Sequence, residues 1–294
     1  MTTLRELSEQ TLNEIGAYTR NQESVTVLTQ PATADDLTFT VDDVSSLSKG
    51  TVEIDDELVY LKRINSQSGT VEVMPGGRGW SGSIASAHEA LTIMRNNPLF
   101  SRSQIKRAIN DTIIGIDLMS IGSYDFTFDG STFAYPLPAD FKNVTGISWE
   151  VPDTTGIWDL ITRYRIDRNY RVEGSSAVRS ALILDEAPMP GQTVRVQYAR
   201  FPSALEDADD FSTTGLPVSA QDVVRLGAMW RLVSTVDPGK VIANTPSSEV
   251  IDAAVQPGQS TATARYIYQL FSVRLAEEKT KQMINYMSVI NYQR

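Results

Sequence analysis

The sequence predicts an α+β fold, in which a helical bundle of about four helices carries two β-rich units. Three observations favour this class. The hydrophobic spacing alternates along the chain between helical and strand-like periods. Each β-rich stretch is flanked by helical sequence, so the first β unit has the form of an insertion between helices one and two. Helices so far apart in sequence each need a partner for their apolar stripe, which a shared bundle supplies.

An amphipathic helix is predicted at the start of the chain, and a small all-β unit is predicted after it. From Val25 to about Met94 the chain holds short runs rich in Val, Ile, Thr and Tyr, separated by Gly, Pro, Asn and Asp turns. This composition predicts about five strands in a barrel or sandwich. The apolar residues of the preceding helix recur at helical spacing: Leu4, Leu7, Leu12, Ile15 and Tyr18.

A second helix and a second β-rich region follow. Helical spacing resumes in PLFSRSQIKRAINDTIIGIDLM, where Ser101 or Ser103 can cap the first turn. From about Tyr124 to Phe201, candidate strands such as VTGISWEV and TVRVQYARF alternate with Gly, Pro and Asp turns. The acidic stretch ALEDADDFSTTGLP connects this region to the remaining helices.

Two further helices are predicted after this connection. The third spans Val218–Val236 and is opened by Ser219, with Asp222 three residues later. The fourth begins near residue 260 and continues to about Tyr286. Both carry an apolar side at helical spacing, so both are expected to join the bundle.

Three predicted parts follow from these elements. The helical bundle core comprises residues 1–20, 98–123 and 218–294. The inserted small β-barrel or sandwich module comprises residues 21–97, and the second β-rich region comprises residues 124–217. The inserted module holds 5 basic and 11 acidic residues, so it is the acidic part of a chain whose net charge is −10.

Composition excludes several enzyme classes. The chain has no cysteine and a single histidine, which rules out thiolate zinc sites, iron–sulfur clusters, cysteine nucleophiles and multi-histidine metal sites. The net charge of −10 opposes non-specific binding to DNA or to anionic lipid. We therefore expect no catalytic residues, no metal and no cofactor. We also expect neither a secretory signal nor a membrane-spanning segment, and synthesis in a cytoplasm.

The titratable clusters of the sequence favour structural roles. The single histidine, His88, is predicted to be a surface or turn residue, because no serine elbow accompanies it. An acidic hairpin turn is predicted for Asp55, Asp56 and Glu57. Alternation along a strand places Asp55 and Glu57 on one side and Asp56 on the other. Two carboxylate pairs that suit glycoside cleavage stay open: Asp125 with Asp129, and Asp153 with Asp159.

The second β-rich region interleaves aromatic residues with arginines, which allows three interpretations. These side chains could bind sugar or single-stranded nucleic acid, or they could be half-buried sheet residues with cross-strand arginines. The arginines could also meet an acidic face of a neighbouring copy in a self-assembling protein. The aromatic residues are Trp149, Trp158, Tyr164, Tyr170 and Tyr198, and the inter-subunit candidates are Arg163, Arg165, Arg168 and Arg171.

Two stretches resemble bacteriophage virion proteins. The run IDDELV, a hairpin, and then R-G-x-x-G-S-x-A-x-x-H from Arg78 to His88 resemble a small β module that recurs in such proteins. The layout around it contains FSRSQIKRAINDTI, LPADFKNVTGISWE, VRVQYARFP and two closing helices. This layout resembles the head-to-tail adaptor (connector or neck ring) proteins of tailed phages, and it carries over no catalytic residues.

The resemblance implies a structural protein in the neck of the virion, and no enzyme. About twelve copies would form a homo-oligomeric ring between the portal protein and the tail, in contact with a tail, stopper or tail-terminator protein. The ring would continue the channel through which genomic DNA passes without specific binding. An extended C-terminal segment would dock onto the portal, and its residues here are Asn285, Tyr286, Met287, Ile290, Tyr292 and Arg294.

Two functions of other classes stay as alternatives. A β-rich tail or baseplate subunit that binds host carbohydrate requires the Trp, Tyr and Arg side chains to line a solvent-facing cleft. Burial of the same side chains at a contact between copies favours the ring. A hydrolase or lyase requires a pocket with two carboxylates at mechanistic spacing and one acid with a perturbed pKa.

Overall fold

The described part of the chain contains four α-helices and thirteen β-strands, so the predicted α+β class is confirmed. The computed structural model describes residues 2–19, 23–132, 134–152, 156–171, 178–186, 188–235 and 259–285. The α-helices are α1 (Leu4–Thr19), α2 (Arg102–Gly115), α3 (Gln221–Thr235) and α4 (Gln259–Asn285). The strands are β1 (Val25–Val27), β2 (Thr38–Thr40), β3 (Gly50–Ile54), β4 (Glu57–Asn65), β5 (Thr70–Val73), β6 (Ile93–Asn96), β7 (Ser120–Thr127), β8 (Ala134–Pro136), β9 (Phe141–Glu150), β10 (Trp158–Leu160), β11 (Tyr164–Arg171), β12 (Val178–Leu184) and β13 (Thr193–Arg200). Short 3-10 helices span Val44–Ser46, Trp80–Gly82, Phe211–Thr214 and Val218–Ala220.

The chain forms two compact units. The barrel unit comprises Leu4–Thr112 and Val223–Phe271, and the sheet unit comprises Met1–Thr3, Ile113–Asp222 and Ser272–Arg294. Each unit has its own β-sheets and its own cluster of buried apolar residues. The unit boundaries fall inside α2, α3 and α4, so these helices contribute residues to both units.

The strands of the barrel unit form one antiparallel sheet of six strands. Its order is β1-β6-β3-β4-β5-β2, which is one strand more than the sequence predicts. An isolated bridge between Leu28 and Val41, which follow β1 and β2, closes the sheet on itself. Alternate residues point inwards, and Val52, Val59 and Leu61 are fully buried. The interior of the barrel is therefore a packed apolar core.

The sheet unit holds two antiparallel sheets with a common core. One has the order β10-β9-β13-β7, and the other has the order β11-β12-β8. Val194 and Val196 of β13 are fully buried, as is Leu182 of β12, and the three belong to one hydrophobic cluster. Strand β11 lies at one edge of its sheet, so one side of its backbone has no strand partner among the described residues.

Helix α2 begins at one of the two predicted caps. The Ser101 backbone N–H donates to Gln104 Oε1 at 3.0 Å, and the Gln104 backbone N–H donates to Ser101 Oγ at 3.2 Å. This reciprocal pair is a capping box, which satisfies two backbone donors at the start of the helix. Of the two predicted caps, the structure selects Ser101 and not Ser103.

Helix α3 begins later than predicted. Val218–Ala220 forms a 3-10 helix whose N-cap is Pro217, and the α-helix starts only at Gln221. Ser219 does not occupy the cap position of α3, because it lies inside this 3-10 turn. Its hydroxyl donates to Glu278 Oε2 at 2.8 Å. The predicted Ser219 cap is therefore wrong: this residue already lies inside a helical turn, and its side chain has a tertiary partner.

Helices of the barrel unit contact one another through specific side chains. Arg225 of α3 donates to Gln10 Oε1 of α1 at 2.7 Å. Gly227 of α3 lies directly against Thr112 of α2 and Phe271 of α4, and a Cβ at this position would overlap the Thr112 methyl group. The absence of a side chain at Gly227 therefore permits the close approach of three helices.

Candidate functional site

Glu57 is the centre of a buried hydrogen-bonding cluster in the barrel unit. It is the first residue of β4, and its carboxylate is inaccessible to solvent. Arg78 donates to both carboxylate oxygens, from Nε at 2.7 Å and from Nη2 at 2.9 Å. The backbone N–H groups of Gly79 and Ser86 donate at 2.9 and 3.1 Å, and His88 Nε2 lies 2.9 Å away. These bonds compensate the carboxylate for its loss of water.

Arg78 connects this cluster to the neighbouring loops. Its Nη1 donates to the carbonyl oxygens of Thr33 at 2.7 Å and Asp36 at 2.9 Å, and its Nη2 donates to the Ser86 carbonyl at 2.6 Å. Its guanidinium carbon also lies 5.1 Å from the centre of the Phe39 ring. The Arg78 side chain thus contacts two loops and the barrel core as well as Glu57.

Turn residues position the members of the cluster. Asp55 and Asp56 form the predicted hairpin turn between β3 and β4, with Asp55 at a φ of 51°. Gly79 has a φ of 60°, and a Cβ there would lie 2.9 Å from the Ser83 carbonyl oxygen. Only glycine adopts this conformation without a clash, and it places the Gly79 N–H on Glu57.

His88 is buried between two carboxylates, so its predicted surface or turn position is wrong. Its Nδ1 lies 3.0 Å from Asp55 Oδ2, and its Nε2 lies 2.9 Å from Glu57 Oε2. Asp56 instead accepts a bond from Lys106 Nζ at 2.9 Å. The predicted alternation is therefore confirmed, with Asp55 and Glu57 on one side of the turn and Asp56 on the other.

The cluster shifts the pKa values of its two central groups in opposite directions. Burial alone would raise the pKa of Glu57, but hydrogen bonds from Arg78, His88 and two backbone N–H groups lower it to about 2. Burial alone would lower the pKa of His88, but its hydrogen bonds to Glu57 and Asp55 raise it above the ordinary 6.5. The cluster therefore favours an ionised Glu57 carboxylate beside a protonated His88 imidazole, and solvent reaches neither of these two side chains.

The four predicted inter-subunit arginines are exposed on or beside β11. Arg165, Arg168 and Arg171 lie in β11, and Arg163 precedes the strand by one residue. Arg165 forms a salt bridge with Asp185 at 3.0 Å. The other three form no ion pair with any residue that the structure describes. Positive charge on an edge strand deters unwanted strand pairing and can also meet an acidic partner.

The aromatic residues of the same region are largely covered. Tyr198 is buried, and Trp149 and Tyr164 pack against the hydrophobic core of the sheet unit. Arg195 lies over the Trp158 ring, with its guanidinium carbon 4.1 Å from the ring centre. This arrangement matches the interpretation of half-buried sheet residues and differs from an open stacking surface for sugar.

The first carboxylate pair that suited glycoside cleavage, Asp125 with Asp129, has structural partners. Asp125 accepts from Arg195 Nε at 2.9 Å and from Nη2 at 2.7 Å. Asp129 accepts from the Thr132 N–H at 2.8 Å in a turn. These hydrogen bonds lower the pKa of both carboxyls, whereas a general acid for this reaction needs a raised pKa. Asp153 lies outside the described residues, and within them no cluster of three metal-ligating side chains occurs.

The predicted portal-docking residues fall at and beyond the end of α4. Asn285 is the last residue of this helix. The docking role of the segment stays a prediction. Its other members lie outside the described residues: Tyr286, Met287, Ile290, Tyr292 and Arg294.

Comparison with known proteins relates most of the chain to one family. A family model described as SU10 adaptor protein matches residues 86–282. The matched stretch begins at Ser86 in the buried cluster and includes α2, every strand of the sheet unit, α3 and most of α4. No match was found among the curated proteins. In the described ranges, no helix has the length and apolar character needed to cross a membrane.

Proposed function

Because the chain belongs to the SU10 adaptor protein family, a family of bacteriophage structural adaptors, we propose that it forms a head-to-tail adaptor ring. The ring of about twelve copies lies in the neck of the virion, between the portal protein and the tail. On the tail side it contacts a tail, stopper or tail-terminator protein. The family match over residues 86–282 is the observation that carries this proposal.

The charge of the chain supports a channel through which DNA slides. The net charge is −10. A predominantly acidic protein makes few phosphate contacts and releases few counterions, so DNA gains little affinity for its surface. In this proposal the ring continues the DNA channel without specific binding, uses no cofactor and catalyses no reaction.

Each copy combines a helical core with two β-rich parts. The four helices form one bundle from residues 1–20, 98–123 and 218–294, and the contacts at Gly227 support such packing. Residues 21–97 are a module inserted between the first two helices. Val25 of β1 pairs with Arg95 of β6, so the module enters and leaves through adjacent strands, as a tolerated insertion requires. Residues 124–217 form the second β-rich region.

The arginines of β11 meet an acidic face of the next copy in the ring. Such a contact joins two different surfaces of the same chain, which is the type of contact that generates rings. Two features of the described structure support this role: the side chains are exposed, and three of the four have no ion-pair partner there. The residues are Arg163, Arg165, Arg168 and Arg171.

The C-terminal segment from Asn285 docks onto the portal protein. Its composition is polar with aromatic residues, which suits a segment that gains order on a partner. The docking residues are Asn285, Tyr286, Met287, Ile290, Tyr292 and Arg294.

Charge reversal of three β11 arginines tests the proposed contact between copies. In the R163E/R168E/R171E variant, acidic side chains replace the basic ones and repel the acidic face of the neighbour. We expect this variant to lose assembly with the portal protein in sedimentation velocity. Its melting temperature should equal that of the wild type, because the substituted side chains are exposed.

A matched control makes the same change of charge elsewhere. The K49E/K62E/R63E variant reverses three exposed cations of the barrel unit and should assemble as the wild type does. If both variants assemble equally well, the β11 arginines do not form the contact between copies. A wild-type chain that neither binds the portal protein nor assembles would overturn the adaptor function itself.

A further inference from the structure

Three charged side chains in the second half of α4, those of Arg274, Glu278 and Lys279, bond to other parts of the sheet unit. Arg274 Nε donates to Asp222 Oδ2 at 2.7 Å, and Lys279 Nζ donates to Asp117 Oδ2 at 2.9 Å. Glu278 is only 1% exposed and is held by hydrogen bonds. Polar contacts therefore help to attach this half of α4 to the unit.

The opposite side of this half is uncharged and exposed. Val273, Ala276, Thr280 and Met283, here called the α4 stripe, are all exposed, with Val273 at 58% and Met283 at 70%. Given 3.6 residues per turn, the four lie within roughly 80° of one another and about 180° from Glu278. Their spacing of three and four residues is that of a helix–helix seam. The stripe therefore indicates a second packing partner for α4.

An open groove of the barrel unit has the shape and polarity to receive a helix. It has a volume of about 660 Å³ and lies between α2 and the end of α3, and is here called the α2–α3 groove. Arg107 and Asp111 of α2 form its charged rim. Grooves with an apolar floor bind the apolar side of an amphipathic helix. The floor residues are Leu99, Phe100, Ala108, Trp230 and Leu232.

The charges beside the stripe and the groove are complementary. Glu277 and Lys281 flank the stripe and are 51% and 53% exposed, and each also has an ion-pair partner within α4, Arg274 and Glu278 respectively. Arg107 and Asp111 are exposed, and neither forms an ion pair with another described residue. Members of each pair are four residues apart, about 6 Å along a helix. With the two helices parallel, Glu277 meets Arg107 while Lys281 meets Asp111.

We propose that the α4 stripe of one copy docks in the α2–α3 groove of the next copy. This inference rests on the proposed adaptor ring and adds a helical contact to that of the β11 arginines. Stripe and groove are different surfaces of the chain, so the contact is head-to-tail and repeats from copy to copy until the ring closes.

Site-specific cross-linking tests this contact, because the chain has no cysteine of its own. The S234C variant carries one thiol on an exposed α3 residue that lines the groove, and V273C carries one thiol on the stripe. Mixed with the portal protein and treated with a short bismaleimide, the two variants should give a covalent adaptor dimer that neither gives alone. V273C mixed with K62C, whose thiol is exposed on β4 and does not line the groove, is the matched control and should give none.

Each outcome bears on a different part of the proposal. A dimer confined to the S234C and V273C mixture supports the contact. A V273C dimer means that two stripes pack together, and a V273C product with the portal protein means that the portal covers the stripe; either overturns the inference. If no cross-linked product forms although light scattering shows rings, the proposed contact is overturned and the proposed adaptor ring is not. If the wild type does not form rings with the portal protein, the proposed function is overturned, and so is this contact.

Discussion

His88 Nε2 lies 2.9 Å from Glu57 Oε2, and solvent reaches neither side chain. The two residues are 31 positions apart in the sequence, so their hydrogen bond joins β4 to a distant segment of the barrel unit. The imidazole has a raised pKa and the carboxylate a lowered one. Stability of the barrel unit is therefore linked to the protonation of this pair.

The stability of the barrel unit should fall as pH rises through the folded-state pKa of His88. That pKa lies above the ordinary 6.5, so the folded state binds the proton more tightly than the unfolded state does. The contribution of His88 is fully present below pH 6.5 and is lost above it as the folded-state pKa is passed. His88 is the only histidine. The melting temperature of the wild type should therefore decline over this pH range, and that of H88Q should not. Parallel pH profiles for the two proteins would contradict this assignment.

Loss of Arg78 should destabilise the barrel unit strongly. The R78A substitution leaves the Glu57 carboxylate buried without its two guanidinium bonds, which costs about 3–5 kcal/mol in the free energy of unfolding. R78K should recover only part of this loss, because one ammonium group cannot donate to Glu57 and to three carbonyls in the same geometry.

Urea denaturation followed by circular dichroism measures these Arg78 variants. R63A is the control: its side chain is 68% exposed, so its effect should stay within about 0.5 kcal/mol. A free energy of unfolding for R78A that matches that of R63A would show that the buried cluster does not hold the barrel together.

Substitution of Gly227 should separate the helices of the barrel unit. In G227A the new methyl group overlaps the Thr112 methyl, and Phe271 Cε2 lies 3.0 Å away. Overpacking costs about 1–3 kcal/mol, which outweighs the gain of up to about 1 kcal/mol in helix propensity. T112S removes the opposing methyl but keeps the hydroxyl that donates to the Ala108 carbonyl.

A double-mutant cycle of G227A with T112S therefore isolates this contact. We expect G227A to cost at least about 0.5 kcal/mol less in the T112S background than in the wild type. Additive effects of the two substitutions would mean that Gly227 and Thr112 do not limit the helix separation.

Removal of the α2 cap should weaken the start of that helix. S101A loses the hydroxyl that accepts the Gln104 N–H at 3.2 Å, at a cost of about 0.5–2 kcal/mol. S103A is the matched control: Ser103 is exposed, and its hydroxyl lies 2.9 Å from the Ser101 hydroxyl but is not itself the cap, so its loss should cost less. A larger loss of thermal stability in S103A than in S101A would reverse this assignment.

Local patterns predicted the elements of the fold well. Helix α4 was expected from near residue 260 to about 286 and spans Gln259–Asn285, because its boundaries depend on helical spacing within one segment. The turn at Asp55 and Asp56 was likewise predicted from a local pattern, the alternation of side chains along a strand. Ser219 was misassigned because Ser-x-x-Asp is equally compatible with a 3-10 turn, and a tertiary bond to Glu278 decided the outcome.

The buried cluster could not be derived from spacing. His88 finds its partners 31 and 33 residues away, and only the closed barrel brings Asp55 and Glu57 to it. The one signal in the sequence was the run from Arg78 to His88 that resembles a phage β module. The α4 stripe was missed for a related reason: a helix with partners on two sides lacks the single apolar side by which a sequence pattern is recognised.

The mass of the assembly formed with the portal protein tests the adaptor ring most directly. We expect size-exclusion chromatography with light scattering to find a complex in which the adaptor contributes ~390 kDa, about twelve copies of a 32.4 kDa chain. Adaptor that elutes apart from the portal at 32.4 kDa over the whole accessible concentration range would contradict the account.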